Sequence, residues 1–317
     1  MSLEAQRNTR SQMRTDTFFE TCSEPLVELA TDIISSTEFE RLSRISFLGA
    51  IEKLGNADGS RRSAGSRYEH SIGVARIALQ LAQSASLSPG ELRIALIHGL
   101  LHDIGHGPLS HSCEFFFRTK FAWDHHQQLL AIVANKRSSI SKVLEKYRLW
   151  HDYFGFLIQP DKLPNVQAIF ESPINADTIE GILRASRFFG VNSGISEDSL
   201  IASLLKRSPS LKELDGFWRL KQTIYNQFIF NDTQARFDVA VCDALFSTQE
   251  TVQKSEFLLD DDTFIEIYIN RITEQLGALS AKNDATPKQR NFDIKDNARP
   301  KKMRQLGIRY SERKGRK

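Results

Sequence analysis

Residues 88–105 read SPGELRIALIHGLLHDIG, and this stretch limits the fold more than any other. Ser88 can cap a helix, Pro89 suits its first turn and Glu91 completes a capping box. The helix then runs apolar through LRIALIHGLL to an adjacent His-Asp pair and should stop near Gly105. Just before it, EHSIGVARIALQLAQSA repeats apolar residues at helical spacing from near His70. Two long helices back to back, the second ending on two polar side chains, call for more helices around them.

The rest of the chain supplies those helices. Helical spacing recurs at 24–35, 37–45, 111–119, 125–135, 174–189 (closed by Gly190), 197–206, 210–230 and 262–280, while the alternation typical of half-buried strands is scarce. The expected class is all-α: an N-terminal segment over 1–23, a helical bundle over 24–195, a helical C-terminal extension over 196–280 packing on that bundle or on a partner subunit, and a tail over 281–317. With 317 residues and 40% hydrophobic content the chain can bury a full core. No apolar run reaches membrane-spanning length and the first residues lack a signal-peptide stretch, so a cytoplasmic protein without membrane contact is expected. Cys22, Cys113 and Cys242 are too few and too far apart for a disulfide framework. Residues 281–317 hold 13 Lys and Arg against 4 Asp and Glu, leaving 29 against 35 in the first 280. Such a tail can hold nucleic acid through phosphate contacts, or serve as a solubilising or subunit-contact arm.

All eight histidines fall between positions 70 and 151. Imidazole is the commonest ligand for transition metals, so the clustering points to a site. The sharpest element is LLHDIGHGPLSH at 100–111, where His102 and Asp103 offer one nitrogen and one oxygen from a buried helix end. His70 in RYEHS and Asp177 in INADTIEG open two other helices and can point toward that end. Two histidines and two aspartates form a cage for one divalent metal ion, with positions left open for water and phosphate. A mixed nitrogen and oxygen set accepts Mn, Fe, Mg, Ni or Zn.

RYEHSIGV, then HDIGHGPLSH, then WDHHQQ, then an Asp opening a helix, resembles the HD phosphohydrolase superfamily, and within it the deoxynucleoside triphosphate triphosphohydrolase branch. TEFERLSRISFLG (37–49) resembles that branch's xFxRLxxIxxLG segment. The resemblance covers roughly residues 25–190. It implies that His70, His102, Asp103 and Asp177 bind the metal, that Arg67 contacts substrate phosphates, and that His106 and His111 line the phosphate site. It implies further that His125 is the general acid toward the leaving oxygen, with Glu114 orienting it, and that Arg41 and Arg184 are substrate contacts. Branch members assemble into oligomers, so a homo-oligomer is expected.

The departures matter for substrate. Phe47, followed by Leu48 at a second substrate-facing position, stands where the branch has a Gln that reads the sugar. Thr178, Gly181 and Ala185 replace a Lys, a Tyr and an Asp on the last site helix. Three readings follow: a nucleotide phosphohydrolase, foremost a dNTP triphosphohydrolase; the same metal chemistry on another phosphoester, such as a nucleoside monophosphate, a signalling nucleotide or a nucleic-acid end; and a non-catalytic module that binds nucleotide or nucleic acid.

Overall fold

Ser88 caps its helix as expected, its hydroxyl accepting from the Glu91 N–H while the Glu91 carboxylate accepts from the Ser88 N–H. A computed structural model of the chain describes residues 23–54, 63–205, 211–248 and 250–269. The expected tail, the N-terminal residues 1–22 with Cys22, and the end of the helix expected over 262–280 lie outside the described residues. Among those residues the fold is all-α, with a single isolated bridge between Ser46 and Ser66.

The centre is α4 (Arg67–Ser84) packed on α5 (Pro89–Leu101). Gly99 makes the approach possible, since a Cβ there would lie 2.5 Å from the Ala75 Cα. Around this pair lie α1 (Glu24–Ile34), α2 (Thr37–Arg41), α3 (Ala50–Leu54), α6 (His111–Phe121), α7 (His125–Ala134), α8 (Ser139–Lys146), α9 (Trp150–Ile158), α10 (Pro164–Glu171) and α11 (Ala176–Phe189). One core links α1, α2, α4, α5 and α7 to α11; Ile77, Leu96, Leu100, Ile104, Ile179 and Leu144 are each fully buried, each contributing about 1.5–3 kcal/mol.

The extension comprises α12 (Glu197–Leu205), α13 (Leu211–Thr223), a π-helix over Ile224–Ile229, α14 (Asp232–Ser247), a 3-10 turn over Lys254–Leu258, the single turn α15 (Asp261–Phe264) and a second π-helix over Ile265–Ile269. Its α14 packs on α6 and α3. No helix among the described residues is long and apolar enough to cross a membrane.

Several boundaries differ from expectation, each for a local reason. The first long helix starts at Arg67 because Ser66 and Glu69 form a capping box ahead of it. The helix expected over 37–45 ends at Arg41 and passes through a 3-10 turn, because Ile45 is drawn into extended backbone and the segment pairs with the chain ahead of α4: the Arg67 N–H donates to the Ile45 carbonyl and the Phe47 N–H to that of Gly65. The helix expected over 210–230 changes to π geometry at Ile224. Helices α3, α9, α10 and α14 lie outside the expected set. Three of these four are 5 to 9 residues long, too short to stand on periodicity alone.

Candidate metal centre and its neighbouring histidines

His102 sits where α5 ends, and its Nδ1 lies 3.0 Å from the Gly99 carbonyl. A carbonyl only accepts, so the proton is assigned to Nδ1 and the Nε2 lone pair points outward. That Nε2 is buried and has no hydrogen-bond partner. His70, one turn into α4, is held the same way: its Nδ1 lies 2.6 Å from Glu180 Oε2, and its Nε2 lies 3.1 Å from Asp177 Oδ1 and 3.5 Å from Asp103 Oδ2. His102 Nε2 lies 3.5 Å from Asp103 Oδ1 and 4.0 Å from Asp177 Oδ1. Two imidazole Nε2 atoms and two carboxylates thus converge from three helices and the turn after α5. His70, His102 and Asp103 each offer a ligand atom within 4.8 Å of the others.

This donor set fits a divalent cation. Burial disfavours a charged His70, yet its hydrogen bonds to Asp177 and Glu180 and the charges of Glu180 and Asp103 raise its pKa to about 9. The site draws positive charge even against desolvation. Burial would likewise raise the Asp103 carboxyl, but His102, Arg67 and His106 hold it well below the ordinary carboxylate range. Arg67 Nη1 donates to Asp103 Oδ2 at 2.6 Å, with both side chains almost fully buried.

Beside the cage lies a second group. The Ala122 backbone ends α6 in the left-handed region, and an Asp124–Gln127 capping box starts α7, so His125 stands at that helix's first position. Gly105 lets α7 come this close, since a Cβ there would lie 2.0 Å from the His125 carbonyl oxygen. Glu114 of α6 binds His125 Nδ1 through Oε1 and lies 2.9 Å from His111 Nδ1 through Oε2. The His106 ring stacks on His125 with centroids 4.3 Å apart, and its Nε2 lies 3.2 Å from Asp103 Oδ1, so one imidazole touches both groups. Burial would lower the His125 pKa, but the hydrogen bond and charge of Glu114 outweigh it and raise it. Burial, reinforced by Arg67, keeps His106 well below the usual imidazole range. These four side chains also have metal-ligating spacing. Both Glu114 oxygens are already committed to imidazoles, which suits proton transfer better than a cage.

The expected substrate contacts divide. Arg67 adjoins the cage, with Nε donating to Ser110 Oγ and Nη2 to the Phe47 carbonyl. Arg41 directs Nη2 at the carbonyls of Ile104 and His106, bracing the turn after the His-Asp pair. Arg184 donates from Nε and Nη2 to Glu180 and from Nη1 to the Ala64 carbonyl. The Phe47 ring lies 4.7 Å from that of His70, and a Cβ on Gly181 would meet it at 3.3 Å. Leu48 beside it is half-buried. His98 is packed among Tyr153, Phe156 and Phe170.

Sequence reasoning missed Glu180, which orients His70 and is bound in turn by Arg184. Its signal was present: three residues after Asp177 and four before Arg184, it shares a helix face with both.

Residues 67–153 match the family model of the HD domain. Over those residues the chain is similar to an HD domain. Similar curated proteins include the uncharacterized protein YwfO of Bacillus subtilis, 29% identical over 174 residues, covering 53% of this chain and 38% of that protein. Another is the deoxynucleoside triphosphate triphosphohydrolase SAMHD1 of Homo sapiens, 32% identical over 134 residues, 38% of this chain and 21% of that protein. The Bos taurus protein of the same name is 35% identical over 106 residues, 30% and 17% of the two chains. The matched stretch spans well under half the length of these relatives.

Proposed function

We propose that this protein is a metal-dependent phosphohydrolase acting on nucleotides, with dNTP triphosphohydrolysis as its reaction. The observation that carries the reading is the pair of Nε2 atoms, on His70 and His102, aimed toward Asp103 and Asp177 by contacts on the far side of each ring. A divalent cation held there supplies charge stabilisation at phosphoryl oxygens and an activated water. The chain does the rest. Arg67 holds Asp103 in place and adds positive charge beside the phosphates. His125, its Nδ1–H held by Glu114, presents Nε2 as the proton donor to the leaving oxygen. His106 and His111 line the phosphate path next to it. The similarity to the deoxynucleoside triphosphate triphosphohydrolase SAMHD1 supports this choice of reaction.

A second substrate class is favoured by Phe47. Its ring fills the wall between His70 and Gly181, so neither position 47 nor 181 offers a polar group to a sugar. The same chemistry on a nucleoside monophosphate, a signalling nucleotide or a nucleic-acid end accommodates that wall. Incubating the metal-loaded protein with a panel of dNTPs and these other phosphoesters separates the two. Tripolyphosphate from dNTPs supports the first reading. Turnover confined to other phosphoesters overturns it while keeping the metal-dependent phosphohydrolase.

A further inference from the structure

The loop between the His-Asp turn and α6 is held from outside the HD domain. Leu109 and Ser110 both have left-handed backbone, with φ of 54° and 51°, which non-glycine residues seldom adopt unless their surroundings impose it. What holds them comes from the extension. Asp261, fully buried in the single turn α15, accepts the Leu109 N–H on Oδ1 at 2.7 Å and the Ser46 N–H on Oδ2 at 2.8 Å. The bonds then run inward: Ser110 Oγ donates to the Ser46 carbonyl at 2.5 Å and accepts from Arg67 Nε at 2.9 Å, and Arg67 Nη1 reaches Asp103. Phe257, just ahead of α15, covers Gly107, where a Cβ would meet its ring at 2.7 Å.

We propose that Asp261 is a positioning residue for the metal centre, acting through Leu109, Ser46, Ser110 and Arg67 on the ligand Asp103. This rests on the metal-site reading above. The two donors approach one carboxylate from separate segments, and each needs its own acceptor oxygen. Asn has only one acceptor oxygen, so Asp261→Asn keeps the shape and loses one bond. The ion pairs on either side, Arg44 with Asp260 and Lys53 with Asp262, are exposed and attach the same turn without touching the loop. They provide the control.

The test uses the full chain loaded with Mn²⁺ and competed with a chelator, with retained metal read by elemental analysis and Tm measured in parallel. Asp261→Asn and Ser110→Ala should each weaken Mn²⁺ retention about tenfold, as loss of an outer-sphere partner does. The double variant should be no weaker than the stronger single effect, because both break one chain of bonds. Asp262→Ala should hold Mn²⁺ as the wild type does. Wild-type retention by Asp261→Asn, with only Tm lowered, reduces Asp261 to a docking clip and overturns the proposal. If Asp261→Asn does not fold, Ser110→Ala decides, and unchanged retention there overturns it equally. Wild-type protein that retains no divalent metal fails the metal-site reading itself and takes this relay with it.

Discussion

The candidate metal cage and the His125–Glu114 pair share a wall but are held by different means. The cage gathers candidate ligands from α4, α5 and α11, far apart in sequence, and each ring is aligned by a partner behind it, Glu180 for His70 and the Gly99 carbonyl for His102. The pair is local, eleven residues apart, and depends on how α6 hands over to α7. Long-range construction makes the cage sensitive to distant side chains. The pair should fail alone, without releasing metal.

Asp103→Ala should have the largest effect. It removes a ligand and leaves Arg67 buried without its carboxylate, so metal is lost, turnover falls to background, and stability drops by about 3–5 kcal/mol. Elemental analysis, turnover and denaturant unfolding check the three parts. His125→Ala should lower kcat by about 10²–10⁴-fold with metal content unchanged. A variant that also sheds its metal breaks the separation between the pair and the cage.

Glu180→Gln should weaken metal affinity about 10–100-fold, measured by chelator competition, while leaving the pH profile of the remaining activity in place. Glu114→Gln should do the converse. Glu114 raises the His125 pKa, so the protonated acid persists above the ordinary imidazole range and activity falls only on the alkaline side of it. Removing the carboxylate charge lets burial dominate, and the alkaline limb of kcat against pH should move to lower pH. The smallest effect is expected of Phe47→Ala, which opens the wall beside Gly181 and should change KM between substrates more than kcat for any one of them.

Much of this was legible in the chain. The capping signals at Ser88 and Gly190 and the run into His102 marked helices that exist, because a cap and a periodic apolar face act within a few residues. Glu180 was overlooked although its spacing was visible, since nothing in one sequence says which ring a carboxylate faces. Arg41 and Arg184 read from sequence as substrate contacts; in the structure Arg41 donates to the Ile104 and His106 carbonyls, and Arg184 to Glu180 and the Ala64 carbonyl. A guanidinium reads the same in sequence whether it braces a turn or waits for a phosphate.

The sequence by itself determined the helical class, the HD motif and the residue types able to hold a cation, since these follow from periodicity, caps and donor chemistry. Only the tertiary structure decided that the two imidazoles aim the same atom at one point, that Phe47 closes the wall left by Gly181, and that Asp261 clamps a loop 152 residues away. Those outcomes depend on which side chains meet across long loops. Such meetings are set by the packing of the whole core, and no local window of sequence contains them.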